Sequence, residues 1–176
     1  MAKRTRIVIV GGVAGGASAA ARARRLSEDA EIVMFERGEH ISFANCGLPY
    51  HIGGDIADRR RLLVQTPEAM HKRFRIDVRT RTEVVGIDRE RKEVTVRDLE
   101  TGIEKPLHYD KLILSPGAEP FVPDVPGIKS DRVLTLRNIA DMDAIKARVD
   151  ADTSRRVLVI GGGYVGLEMA EALRNR

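Results

Sequence analysis

The stretch 6-RIVIVGGVAGGASAAARARRL-26 decides the fold. Residues 6–10 form a short apolar, β-branched run, the pattern of a strand buried in a parallel sheet. Two glycine pairs break the run, and an Ala-rich helical stretch follows. A second apolar run, 31-EIVMF-35, ends on Glu36 and completes a βαβ unit.

Further along, Thr66 reads as an N-cap, with Pro67 at the first helical position and Glu68 in the first turn. That helix is expected to run to about Phe74. Residues 82–88, 93–98 and 105–110 then read as a small antiparallel meander turning at Gly102. Residues 111-KLILSPGAEP-120 form another buried strand ending in a Pro-Gly turn. The Pro-rich 120–127 is a connector, and Asn138 caps a helix expected to reach about Val149. The opening pattern then returns in 156-RVLVIGGGYVGLEMAEAL-173, read as strand, glycine turn and helix.

The expected class is therefore α/β. A Rossmann-like domain occupies 1–120 as a three-layer unit, with a parallel sheet and the small antiparallel meander. A connector and helix span 121–150, and residues 151–176 start a second Rossmann-like domain. That start has no following strand and no acidic residue for a ribose, so the chain reads as the N-terminal part of a longer protein.

A nucleotide diphosphate needs a tight strand-to-helix turn, close backbone approach and free N–H groups at a helix start. Gly161-Gly162-Gly163-Tyr164-Val165-Gly166 satisfies G-x-G-x-x-G in full. Gly11-Gly12-Val13-Ala14-Gly15-Gly16 keeps the outer glycines but carries Val13 in the middle, which leaves its placement on a pyrophosphate open. Glu36 lies 20 residues past Gly16, where an acid suits a ribose hydroxyl pair. The plain alternative is that these glycines only permit a tight turn and Glu36 is a solvated strand end.

Composition narrows the classes. The 176 residues are 43% hydrophobic and 32% charged, so a packed core is feasible. No apolar run approaches the roughly 20 residues of a membrane span. The basic start reads as a lead into the first strand of a cytoplasmic protein, not as a signal peptide. The net charge of +4 fits an anionic partner. Aromatics are only 4% and no nucleic-acid motif is present, so phosphate-bearing small molecules are the expected partners. The four His are scattered without metal-ligand spacing, and no metal site is expected.

The only cysteine, Cys46, sits in 42-SFANCGLPYHIGG-54. The positions five residues away on either side are Ile41 and His51, so no C-x4-C pair exists. A helix starting near Cys46 would favour its thiolate. Such a thiol cycles through a mixed disulfide with substrate or through a sulfenic acid. An inert buried cysteine is the competing reading.

Here the residues carry a resemblance. The segment 42-SFANCGLP-49 resembles the S-F-x-x-C-x-x-P signature of coenzyme A-disulfide reductases, flavoproteins of the pyridine nucleotide-disulfide oxidoreductase superfamily. The GGVAGG turn, FERG, LLVQTPE, YDKLILSPGAEP, TLRN and GGGYVGLEMAEAL agree with it. The likeness is strongest to the branch often fused to a rhodanese domain, which acts on CoA disulfide, CoA persulfides or polysulfides.

The resemblance implies an FAD lying along Gly11, Gly12, Val13, Ala14, Gly15 and Gly16, with Glu36 on the adenosine ribose and Arg37 beside it. Val85 flanks the adenine, Ser115, Pro116 and Gly117 close over the cofactor, and Arg137 is a further contact. It implies Cys46 as the catalytic nucleophile against the flavin. NAD(P)H is assigned to Gly161, Gly163, Tyr164, Val165 and Gly166, with Glu168 near the nicotinamide. CoA is assigned to Ser18, Arg22 and Arg25, whose i, i+4, i+7 spacing gives one helix face opposite an Ala stripe. A solvated basic face is the alternative there. Ser42 and Asn45 flank the pantetheine thiol, and Asn45 also lies on the cofactor side. The basic residue expected just past the Thr66 helix is Phe74 here, with Arg73 and Arg75 on either side. The resemblance also implies a homodimer of the full-length protein, with no nucleic acid and no membrane. Two other readings stand beside it: an NADH oxidase or peroxidase using a Cys46 sulfenic acid, and a non-catalytic flavin-binding fragment.

Overall fold

The computed structural model describes residues 4–151 and 156–176; the basic start and the stretch 152–155 lie outside them. In chain order the elements are β1 (Arg6–Val10), α1 (Ala14–Leu26), β2 (Glu31–Phe35), α2 (Leu48–Gly53), α3 (Pro67–Phe74), β3 (Asp77–Arg79), β4 (Thr82–Asp88), β5 (Glu93–Asp98), β6 (Glu104–His108), β7 (Lys111–Leu114), α4 (Ile139–Ala151) and α5 (Tyr164–Arg174). Short 3-10 turns cover Asn45–Gly47 and Arg59–Leu62. The chain divides into two compact units, 1–43 with 63–117 and 44–62 with 118–176.

The first unit has three layers. Its central sheet runs β3-β2-β1-β7, all parallel, with Val8 opposite Val33 and Leu112. The pleat sends alternate residues to opposite faces. Ile9, Ile32 and Met34 pack with Ala17 and Ala20 of α1 and Met70 of α3. Val8, Val33 and Phe35 pack on the other face with Val94, Val96 and Tyr109 of the meander. Each fully buried Val, Ile, Met or Phe among these stabilises the fold by roughly 1.5–3 kcal/mol. The small Ala17 and Ala20 let α1 lie close to the sheet.

The meander is antiparallel, in the order β4-β5-β6. Its register slips between Val84 and Gly86, so Val85 is an extra residue with no partner across the strand. Thr66 caps α3 as expected, its Oγ1 accepting the N–H of Ala69 at 3.2 Å. The N-terminus of β1 is pinned by Asp110, whose carboxylate accepts the Arg6 N–H at 2.7 Å.

In the second unit α2 packs against both α4 and α5. Asn138 caps α4, its Oδ1 accepting the Asp141 N–H at 2.9 Å. The Asp141 carboxylate reciprocates by accepting the N–H groups of Arg137 and Asn138, which makes a capping box.

The expected strand at 156–160 is absent. Val157, Leu158 and Ile160 are exposed, with Leu158 at 82%. A strand is held by a ladder to a neighbour, and none pairs with this run among the described residues. Its helix, α5, forms all the same.

Candidate functional site

The first glycine turn is set by its own packing. Gly11 has φ +94°, and a Cβ there would stand 2.0 Å from the Ser115 carbonyl oxygen. A Cβ on Gly16 would meet the Gly11 carbonyl oxygen at 1.7 Å. Gly12 and Gly15 are closed off by Ile41 at 2.7 Å and the Ser115 hydroxyl at 2.4 Å. Gly11 and Gly16, which face backbone oxygens, are thus required whether or not anything binds. Val13 precedes α1 as its N-cap residue and supplies no capping bond, and the first turn, from Ala14, carries no acid. The first N–H groups of α1 are therefore not satisfied by a side-chain cap, which suits a phosphate.

Glu36, half-buried, does more than the sequence reading assigned it. Its two oxygens accept the Gly12 N–H and the Gly38 N–H, each at 2.8 Å. Each carboxylate oxygen keeps a second lone pair for a ribose hydroxyl. Arg37 is exposed beside it. In the same unit, Ser115 donates its N–H to Val10 at 2.8 Å, Pro116 and Gly117 are exposed, and Gly117 has φ +76°. Val85 is exposed at the bulge. An uncapped helix start, a carboxylate with spare lone pairs and a bulge presenting an apolar side chain fit a dinucleotide. Ser42 holds a left-handed backbone (φ 44°) and donates its N–H to the Gly12 carbonyl at 2.9 Å.

On α1, Ser18, Arg22 and Arg25 are all exposed on the face away from buried Ala17 and Ala20. Neither Arg22 nor Arg25 has an ion pair or hydrogen bond among the described residues. The intervening Arg24 was not singled out from sequence, and it behaves differently. Its guanidinium donates to the carbonyls of Ser27, Glu28, Phe74 and Arg75 at 2.7–3.1 Å. It ties the end of α1 to the end of α3, and burial, then nearby Arg75, pushes its pKa below the usual arginine value. Its only sequence signal was a basic residue in a last helical turn. Phe74 packs on the core with Arg73 over its ring at 5.1 Å, while Arg75 takes a left-handed backbone and donates to the Glu28 carbonyl.

In the second unit, Cys46 is exposed, inside the 3-10 turn Asn45–Gly47 that leads directly into α2. Asn45 is exposed as well. Behind the thiol the backbone is tightly fixed. The Ala44 N–H donates to Leu62 at 2.8 Å, and a Cβ on Gly47 would stand 2.7 Å from the Leu62 side chain. His51 is buried, its Nδ1 2.6 Å from the Ile56 carbonyl, which makes Nδ1–H the donor. Arg59 grips Asp143 of α4 with two prongs at 2.8 and 2.7 Å.

The second glycine turn copies the geometry of the first. Gly161 has φ +107°, and a Cβ on Gly166 would meet the Gly161 carbonyl oxygen at 2.1 Å. Gly163 has open space where its Cβ would lie, and Tyr164 and Val165 are exposed. Glu168 is half-buried on α5. Arg137 donates from its Nε to the Ala118 carbonyl. Among the described residues no group of three His, Cys, Asp or Glu could hold a metal, and no helix is long and apolar enough to cross a membrane.

Residues 5–176 match the model of the family described as pyridine nucleotide-disulphide oxidoreductase. The chain belongs to that family. Within it, the chain is 47% identical over 171 residues to a coenzyme A disulfide reductase from Staphylococcus aureus, covering 97% of this chain and 38% of that relative. The crystal structure of reduced Bacillus anthracis CoADR-RHD superposes with TM-score 0.95 at 56% identity, covering 98% of this chain and 31% of that one. An NAD-dependent persulfide reductase from A. fulgidus gives TM-score 0.92 at 37% identity, covering 97% of this chain and 32% of that one. The chain thus spans about a third of the length of these family members.

Proposed function

We propose that this chain carries the flavin turn and the redox cysteine of an NAD(P)H-dependent reductase of sulfur–sulfur bonds, acting on CoA disulfide, CoA persulfide or polysulfide. The observation that carries this is Cys46: the only cysteine of the chain, exposed, and held at the head of α2 by a fixed backbone. The likeness to a coenzyme A disulfide reductase over 97% of the chain supports the substrate class. The persulfide reductase named above supports the wider one.

The uncapped start of α1 and Glu36 would hold an FAD, which would supply two-electron transfer between NAD(P)H and sulfur. The Gly161–Gly166 turn takes the pyridine nucleotide. The Cys46 thiolate attacks one sulfur of the substrate S–S bond. A Cys46–substrate disulfide forms, the original bond breaks, and the departing thiolate takes a proton. Two electrons and a proton then return Cys46 to the thiolate and release the second thiol. Arg22 and Arg25, exposed and without ion pairs among the described residues, suit the phosphates of CoA bidentately.

In the full-length protein, Cys46→Ser is expected to abolish NAD(P)H-driven turnover of CoA disulfide and polysulfide at unchanged flavin content. A variant that retains the wild-type disulfide rate would refute the mechanism. Wild-type NADH consumption with O2 alone, and none with disulfides, would establish the oxidase reading instead.

A further inference from the structure

The cysteine segment ends in Gly53-Gly54, and the proposed reaction uses neither residue. Gly54 has a local reason. It ends α2 at φ +99°, donating its N–H to the Tyr50 carbonyl at 3.0 Å. Gly53, the last residue of α2, has no positive φ to account for it. Its neighbour explains it. A Cβ on Gly53 would lie 3.0, 3.2 and 3.3 Å from Cβ, Cα and the carbonyl oxygen of Ala172 on α5. The two helix backbones are in direct contact there. Arg176 reinforces the junction by donating from Nη1 to the Ile52 carbonyl at 2.9 Å.

Cys46 therefore hangs between two anchors within one unit. In front, the Cys46-Gly47 turn rests on Leu62, where a Cβ on Gly47 would be 2.7 Å from Cδ2. Behind, α2 is seated on α5 through Gly53. The distance from Cys46 to Gly53 along the helical path is roughly 10 Å, and close-packed elements pass displacement along rather than absorbing it.

We propose that the Gly53–Ala172 junction is a positioning device for Cys46: α5 sets the depth at which α2 lies, and with it the placement of the thiol. This rests on the reading of Cys46 as the redox nucleophile. It makes the helix that follows the second glycine turn the support of the cysteine.

The test uses the full-length protein with Gly53→Ala, Ala172→Gly and the two combined. The readouts are the rate at which iodoacetamide alkylates Cys46, resolved by peptide mass spectrometry, and kcat and KM for CoA disulfide. Gly53→Ala is expected to change the alkylation rate and lower kcat by about tenfold, as small misplacements of a reacting group do, with flavin content unchanged. Ala172→Gly in the same chain removes the nearest of the three opposing atoms and is expected to restore part of both. A wild-type alkylation rate and kcat in Gly53→Ala, or a defect that Ala172→Gly leaves in place, overturns the proposal. Should Gly53→Ala alone fail to fold, the combined variant against Ala172→Gly gives the same comparison. A wild type without disulfide turnover defeats the reading of Cys46, and the alkylation rates still decide the positioning claim.

Discussion

The two glycine turns of this chain are close to the same object in different surroundings. Gly11 and Gly161 have φ +94° and +107°, and Gly16 and Gly166 each face the carbonyl oxygen of the turn's first glycine. The first turn leaves β1, buried in a four-stranded sheet. The second leaves an exposed run with no strand partner among the described residues. The turn and its helix are therefore local products of glycine placement, while the strand before them exists only where neighbours supply a ladder. The glycines also differ in their surroundings among the described residues. Gly12 and Gly15 are walled in by Ile41 and Ser115, whereas Gly162 and Gly163 face open space.

That contrast is easy to break by substitution. Gly16→Ala puts a methyl into a backbone oxygen and is expected to cost about 3 kcal/mol or more, read as a fall in denaturant midpoint with loss of bound flavin. Glu36→Ala frees two backbone N–H groups of the first turn region, for about 1–3 kcal/mol and a lower flavin content. Gly163→Ala has no counterpart to clash with. Its stability is expected within about 0.5 kcal/mol of wild type, while the KM for the pyridine nucleotide rises about tenfold from obstructed backbone approach. If Gly163→Ala destabilised as Gly16→Ala does, the distinction between walled-in and open glycines would be wrong.

The smallest effect concerns the meander beside the first turn. The N–H groups of Thr101 and Glu100 hold the Asp98 carboxyl below the usual carboxylate range. Its folded pKa is thus below its unfolded one, so its contribution is present above the unfolded value and is lost as pH falls through the folded one. Thermal midpoints of wild type and Asp98→Asn, followed from neutral pH down into the carboxylate range, should show the variant less sensitive to acid.

Much of the first unit was legible because its signals are local or periodic. The runs 6–10 and 31–35, the Thr66-Pro67-Glu68 helix start and the alternation of 93–98 all became the expected elements. β3, three residues long, carried too little pattern to be read. The strand reading of 156–160 failed because composition records willingness to pair but not a partner. The tight turn at 11–16 and the place of Glu36 just past β2 were legible by spacing. Arg24 and the Gly53–Ala172 contact were not, since each depends on which distant backbone lies opposite.

The central claim is that the Cys46 thiol forms a covalent bond with substrate sulfur. Intact mass measurement of the full-length protein after CoA disulfide is added without NAD(P)H tests it directly. The account predicts one CoA adduct mapped to the Cys46 peptide, removed by NAD(P)H and absent in Cys46→Ser. A protein that turns over CoA disulfide yet never carries that adduct, or carries it elsewhere, contradicts it.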